Sequence, residues 1–254
     1  MRVASWNVNS LRARLEHVTR WLAEDSPDFL ALQETKVEDT LFPRAELEAL
    51  GYHVTFAGQK TYNGVAILSR ETPRQVVTDN PHFDDAQRRI LGVEFEDFFL
   101  LDVYVPNGSE VGSEKYQYKL AWLEALRSWL AELLQTYPRL LLVGDFNIAP
   151  DDRDVHDPAA WHEKILCSTP ERAAFRQFLD LGLCDTFRQH ESEAGHFSWW
   201  DYRAGGFRRN QGLRIDLILA SSPLAERCQA SNIQRTPRTW EKPSDHAPVM
   251  AHFR

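Results

Sequence analysis

Leu140, Leu141, Leu142 and Val143 form an unbroken apolar run that stops at Gly144, Asp145 and Asn147. Such a run bounded by glycine fits a strand buried on both faces, which requires that other layers cover both sides of its sheet. In layered α/β folds ligands bind beyond the carboxyl ends of the strands. Asp145 and Asn147 lie at such an end. In an extended chain, side chains two residues apart face the same way and can converge on one ligand. An Asx turn, in which both side chains cap their own backbone, accounts for the same pair. This stretch alone leaves both readings open.

The rest of the chain alternates strand-like and helical patterns. "RVASWNV" and "PDFLALQE" flank a helical pattern of Leu11, Leu15, Val18 and Leu22, with Asn9 or Ser10 as the expected N-cap. "HVTFAG" and "GVAILS" read as strands, and "RRILGVEFE" with "FFLLDVYVP" as a hairpin around Asp97. Ser113 opens a long helix with Tyr116, Leu120, Leu123, Leu126, Leu130 and Leu133 on one face, closed before Pro138. A second helix starts at Thr169, and "GHFSWW", "LRIDLILA" and "HAPVMAHF" are the remaining strands. Two packed sheets with helices outside are expected, in one catalytic domain over residues 1–254. No linker, repeat or bilayer-spanning apolar run interrupts the chain, and "MRVASWNV" enters a strand without a signal-peptide pattern, so a cytosolic location is expected. Cys167, Cys184 and Cys228 lack C-x-x-C spacing and suit reduced thiols.

Polar residues gather at the strand ends. Asn7 closes "VASWN", Glu34 closes "FLALQE", Tyr104 and Asn107 lie in "DVYVPNG", Asp216 in "LRID", and Asp245 and His246 in "SDH". With Asp145 and Asn147 they make a set of oxygen donors and one imidazole without cysteine, which suits Mg²⁺ or Mn²⁺ better than Zn²⁺. Metal, carboxylate and imidazole suit phosphodiester hydrolysis. No G-x-S-x-G, H-E-x-x-H, Walker A or G-x-G-x-x-G pattern points to another chemistry. The net charge of −8 counts against a polyanion ligand only mildly, because Arg88 and Arg89, and Arg203, Arg208, Arg209 and Arg214, form local basic clusters.

"SWNVNSLRAR", "LQETK", "VYVPNG", "VGDFNIAP", "FSWWDYR", "NQGLRIDLILAS" and "EKPSDHAPV", in that order, resemble the motifs of the bacterial exonuclease III family of AP endonucleases. The resemblance implies a four-layer α/β sandwich, two central mixed sheets flanked by helices, with the active site at one edge of the sheets. It implies a Mg²⁺ enzyme, with Mn²⁺ able to substitute. The implied activities on double-stranded DNA with abasic sites or blocked 3' ends are 3'–5' exonuclease, AP endonuclease and 3'-end phosphatase, in base excision repair. A monomer in the bacterial cytoplasm, at the nucleoid and not at a membrane, goes with that role.

Carried over residue by residue, the resemblance makes Tyr104, Asp145, Asn147, Asp216 and His246 catalytic. Glu34 is then the main metal carboxylate, with Asn7, Asp145, Asn147, Asp245 and His246 about the ion. Asn9, Tyr62, Asn63, Arg88, Asn107, Lys115, Trp199, Arg203 and Arg208 fall to DNA. Asn9 stands where some relatives have aspartate, and Leu213 where the branch typified by animal enzymes has tryptophan. A small-molecule or lipid phosphodiesterase on the same fold, or a catalytically dead binding protein, are the alternatives. In "FSWWDYRAGGFRRNQGLR", Phe197 and Trp200 read as core, while Trp199 faces the crevice that holds Asp216.

Overall fold

The computed structural model describes residues 1–254. In chain order its strands are β1 (Arg2–Asn7), β2 (Phe29–Gln33), β3 (His53–Ala57), β4 (Val65–Ser69), β5 (Gln75–Val77), β6 (Ile90–Glu94), β7 (Phe99–Tyr104), β8 (Leu140–Asp145), β9 (Leu183–Asp185), β10 (Trp199–Trp200), β11 (Gly212–Leu213), β12 (Asp216–Ser221), β13 (Cys228–Ile233) and β14 (Val249–Phe253). The helices are α1 (Leu15–Asp25), α2 (Arg44–Glu48), α3 (Glu114–Thr136), α4 (Pro158–Trp161), α5 (Thr169–Asp180), α6 (Thr186–His190) and α7 (Ser222–Ala225). None is long and apolar enough to cross a membrane.

Two six-stranded mixed sheets form, β13-β14-β1-β2-β4-β3 and β5-β6-β7-β8-β12-β9, with the ribbon β10-β11 apart. Side-chain alternation divides the apolar residues into three layers. Leu141 and Val143 of β8 meet Val3, Ala31 and Ile67 between the sheets. Leu140 and Leu142 face the other way, onto Trp122, Leu126, Phe175 and Phe178 of α3 and α5. Ala4 and Trp6 of β1 face Val18, Trp21 and Leu22 of α1. The expected four-layer sandwich is therefore observed, and the opening run is buried on both faces for the expected reason.

The same alternation places the polar strand ends. On β1, Val3, Ser5 and Asn7 share the face between the sheets, as do Leu100, Asp102 and Tyr104 on β7, Leu141, Val143 and Asp145 on β8, and Asp216 and Ile218 on β12. Parallel pairing of β1 with β2 and of β7 with β8, in the registers Asn7 opposite Gln33 and Tyr104 opposite Asp145, aligns these ends in one row. Gly144 permits this approach, because a Cβ there would lie 1.9 Å from Val103 O. Its φ of +142° is one that larger residues rarely adopt.

Between the apolar layer and that row lies a polar rung. Gln33 Nε2 donates to Ser5 Oγ at 3.0 Å and to Asp102 Oδ1 at 2.7 Å, while Gln33 Oε1 and Asp102 Oδ2 are buried without partners. Burial pushes the Asp102 carboxyl well above the usual range, against the hydrogen bond from Gln33. The folded chain thus holds this proton where the unfolded chain releases it, so Asp102 weakens the fold as pH rises above the ordinary carboxylate pKa. Asp102→Asn carries its donor permanently. Urea unfolding is expected to show the variant more stable than the parent at pH 8, the gap closing toward pH 4. A pH-independent gap would mean that Asp102 is not held neutral.

Four sequence expectations need correction. The first helix starts at Leu15 with Arg14 at its N-cap position, not at Asn9 or Ser10. Asn9 and Ser10 have φ of 45° and 86°, and Ser10 N and Leu11 N still pair with Glu34 O and Thr35 O, so the chain continues along β2 before it can coil. "GHFSWW" contributes only Trp199 and Trp200 to a strand, and "HAPVMAHF" pairs only from Val249. "LRIDLILA" is split, since Arg214 N turns to Asp154 O and the amides of Ile215 and Asp216 turn to Ser198 Oγ. The hairpin at Asp97, the Ser113 cap and the helix start at Thr169 agree with the pattern.

Candidate active site

At the aligned strand ends Asp145 makes two kinds of contact. Its Oδ1 accepts from Asn147 N at 2.9 Å, which is an Asx turn. Its Oδ2 accepts from Asn7 Nδ2 at 2.9 Å and lies 3.7 Å from His246 Nε2. The two readings of the pair are thus compatible: one oxygen shapes the loop and the other faces the site. Asn147, with φ of 46°, donates from Nδ2 to Val105 O at 2.9 Å and accepts from Asn107 Nδ2 at 3.3 Å.

Glu34 reaches the site through a backbone turn. By alternation Gln33 faces between the sheets, and Glu34 would face α1. A left-handed φ of 51° at Glu34 redirects it, and its Oε2 accepts from Asn7 Nδ2 at 2.8 Å. Lys36, the last residue of "LQETK" and given no role by its sequence position, sits 3.4 Å from Glu34 Oε1 and donates to Asn9 Oδ1 at 2.7 Å. Asn9 Nδ2 in turn donates to Asp245 Oδ1 at 3.1 Å, and Trp199 Nε1 donates to Asp245 Oδ2 at 3.0 Å. Trp199 is half-buried at the crevice while Phe197 and Trp200 are core, as expected.

His246 is fixed from three sides. Its Nδ1 lies 2.8 Å from Asp216 Oδ2, its N–H donates to Ser244 Oγ, and its carbonyl accepts from Trp6 Nε1. Burial opposes charge on the ring, but Asp216, Asp145 and Asp245 outweigh it and push the pKa up to about 10. Burial also raises Asp145, countered by His246 and reinforced by Asp216 and Glu34. Burial, with Glu34 and Asp145, holds the Tyr104 phenol well above its usual range, so it remains an O–H donor.

The groups that can share one cation are Glu34, Asp145 and His246, whose ligand atoms lie within 4.8 Å of one another. Two carboxylates, one at the end of β8 and one just past the end of β2, with no thiol in the group, fit a hard divalent ion. Asn7 presents its amide between both carboxylates; the Asp245 oxygens are held by Asn9 and Trp199, and the Asn147 amide by Val105 and Asn107. Glu34→Gln is expected to weaken Mn²⁺ binding by ~10²-fold or more, since even residues that only orient ligands cost 10–100-fold. Titration of the folded variant followed by electron paramagnetic resonance measures it, and unaltered affinity would rule Glu34 out as a ligand.

The expected DNA residues lie around this centre. A cavity of about 530 Å³ beside it is lined by Tyr62, Asn63, Asn107 and Lys115 together with Arg89 and Tyr118. Tyr62 is 68% exposed, whereas Asn63 is buried and donates to Gln59 and Gln87, so of this adjacent pair Tyr62 is the more open to a ligand. Arg88 pairs with Asp79 at 3.2 Å. Arg203 and Arg208 are exposed on the loop after β10.

Residues 4–246 match the model of the endonuclease/exonuclease/phosphatase family. The chain is 40% identical to exodeoxyribonuclease III of Haemophilus influenzae over 270 residues, covering 100% of both proteins. Its fold superposes on the 3' phosphatase NExo from Neisseria bound to a product DNA hairpin with a TM-score of 0.98, at 44% identity over 100% of this chain and 99% of that one. An AP endonuclease from Archaeoglobus fulgidus gives 0.94, at 39% identity over 100% and 99%. The strand-end cluster and a match over nearly the whole chain lead to one assignment: the chain belongs to the endonuclease/exonuclease/phosphatase family.

Proposed function

We infer that this chain is a metal-dependent DNA-repair nuclease of the exonuclease III type, with residues 1–254 acting as one catalytic unit. The observation that carries the reading is the Asp145 carboxylate, held by Asn7 and Asn147 N and facing both Glu34 and the His246 ring. Glu34 and Asp145, with His246 adjacent, would hold Mg²⁺, or Mn²⁺ in its place; Asn7 and Asp245 would support them. When bound, the ion supplies positive charge against the phosphate oxygens.

The protein's own groups supply the rest. Asp145 is the proton acceptor assigned to the attacking water: in the metal-free protein burial raises its pKa to about 7, and the neighbouring His246 ring, which the surrounding carboxylates push up to about 10, already holds its proton and is the weaker acceptor. Asn147 keeps a second amide hydrogen to orient that water. His246 presents charge to a non-bridging oxygen, Asp216 holds its ring, and Tyr104 donates its phenolic hydrogen to the phosphate.

The substrate we propose is duplex DNA carrying abasic sites or blocked 3' ends, gripped by Tyr62, Asn107, Lys115, Arg88, Arg203 and Arg208 and wedged by Trp199. The related proteins named a 3' phosphatase and an AP endonuclease support these two substrate types. A monomer working beside the nucleoid in the cytoplasm follows as part of the proposal. Purified protein is expected to incise a duplex with a synthetic abasic site, and to clear a 3'-phosphate, with Mg²⁺ or Mn²⁺ but not with EDTA. Trp199→Ala should slow both reactions ~10-fold or more beyond its effect on a minimal aryl phosphodiester, by the ~1–3 kcal/mol of a base-stacking contact, the aryl substrate reporting the separate loss of the hydrogen bond to Asp245. Equal losses on all three, or activity in EDTA, would reject the DNA reading.

A further inference from the structure

One charged pair lies behind the site and belongs to none of the groups above. Lys119 sits on the buried face of α3 and Glu171 in the first turn of α5, and both side chains are 0% exposed. A lysine ammonium has three hydrogens. Here they go to Glu171 Oε1, to Asn147 O at 2.6 Å and to Asn107 O at 3.1 Å. The other carboxylate contacts of Glu171 are Leu166 N and Ser168 N, both at 3.1 Å, and Ser168 Oγ at 2.6 Å, whose oxygen also meets Tyr116 OH at 2.8 Å. The β7–α3 loop packs on the lysine stem, since a Cβ on Gly108 would lie 3.0 Å from Lys119 Cδ.

Stability is a poor explanation for this pair. Two ions removed from water cost more than well-packed apolar residues of similar volume, so an ion pair buried this deeply is weak evidence of stabilisation. What it does that apolar residues cannot do is hold two backbone carbonyls on different loops with one cation. Those carbonyls belong to Asn107 and Asn147, whose side chains are bonded to each other. Asn147 also has the left-handed φ of 46°, a conformation that its surroundings must maintain.

We propose that Lys119, anchored by Glu171, is a positioning residue for catalysis: it fixes the Asn147 and Asn107 loops so that the Asn147 amide meets the attacking water. The inference rests on the role given above to Asn147. Small displacements of a positioning group, of about 1 Å, can cost on the order of 10²-fold in rate. The loss falls on kcat and spares KM, because the pair lies beneath the site and touches no substrate.

The experiment uses the full chain with Mg²⁺ on the abasic duplex. Lys119→Met combined with Glu171→Leu replaces the pair by apolar residues without stranding either charge. Expected are a cooperative melt, kcat lower by ~30- to 100-fold and KM within about threefold of the parent, following the positioning argument. In an Asn147→Ala background the same pair of changes should lower kcat by less than about threefold, while shifting the melting temperature as before. A parental kcat in the apolar variant, or an equal loss in both backgrounds, overturns the proposal while leaving the role of Asn147 intact. A parental kcat in Asn147→Ala alone overturns that role and the proposal with it. Should the apolar variant not fold, Lys119→Arg keeps the charge but moves its donors. It should shift the Asn147 side-chain amide resonances and lower kcat at constant KM; unchanged resonances with unchanged kcat overturn the proposal.

Discussion

Asp145→Asn is expected to lower kcat on an abasic or 3'-blocked duplex by ~10³-fold or more, about 4 kcal/mol of barrier, as loss of the proton acceptor should. The change is nearly isosteric and retains an oxygen for the Asx turn with Asn147 N, so the loop keeps its shape. DNA binding should persist, because the cationic and aromatic groups that grip the backbone lie elsewhere. Stability of the metal-free protein should change little, since a neutral residue ends the repulsion from Asp216 and Glu34 but also gives up the attraction to His246 and the hydrogen bond from Asn7 Nδ2. Single-turnover rates at saturating DNA, a binding titration and a thermal melt measure the three quantities. A variant that turns over normally would leave the Asx turn as the whole purpose of Asp145. One that neither binds nor folds would show that the carboxylate is structural.

The layered architecture was readable in the sequence because it depends on local patterns that water enforces everywhere. The run Leu140–Val143 is apolar on both faces because the inter-sheet core lies on one side and α3 and α5 on the other. Ser113 announces its helix with a side-chain cap. The site residues were readable as strand-end polar groups, and the motif resemblance gave them roles. Their meeting was not readable from spacing, since Asn7 and Asp145 are 138 positions apart and only sheet register brings them to 2.9 Å. Glu34 illustrates a second barrier. Period-2 alternation points it away from the site, and a left-handed turn reverses that, which no composition rule signals at a glutamate. Lys119 illustrates a third. It occupies a buried position between Tyr116 and Leu123 on α3, yet a lysine read from sequence is assigned to solvent. Its partner is 52 positions away. The split of "LRIDLILA" follows the same logic: Arg214 is drawn from the strand into a buried bridge with Asp154 and Asp185, both distant in sequence.

His246→Ala and Asp216→Ala should each lower kcat by ~10²- to 10³-fold, and the double variant should be little worse than the poorer single one, as for residues that act as a unit. The reason is geometric. Asp216 Oδ2 lies 2.8 Å from Nδ1, which orients the ring so that Nε2 faces Asp145. Without Asp216 the ring loses its largest charge partner and its fixed orientation; without the ring, Asp216 has nothing to orient. A direct readout separates this from a merely structural bond. In metal-free protein the folded pKa of about 10 exceeds the ordinary histidine value, so ¹⁵N spectra should show His246 as imidazolium at pH 8. The stabilisation from that charge is complete below the unfolded value of about 6.5 and is lost as pH rises through about 10. Asp216→Asn should lower the titration midpoint, because burial still opposes charge on the ring and one of the three carboxylates that favour it is gone. An unchanged midpoint, or kinetic losses that multiply in the double variant, would separate the two residues and leave His246 to act without Asp216.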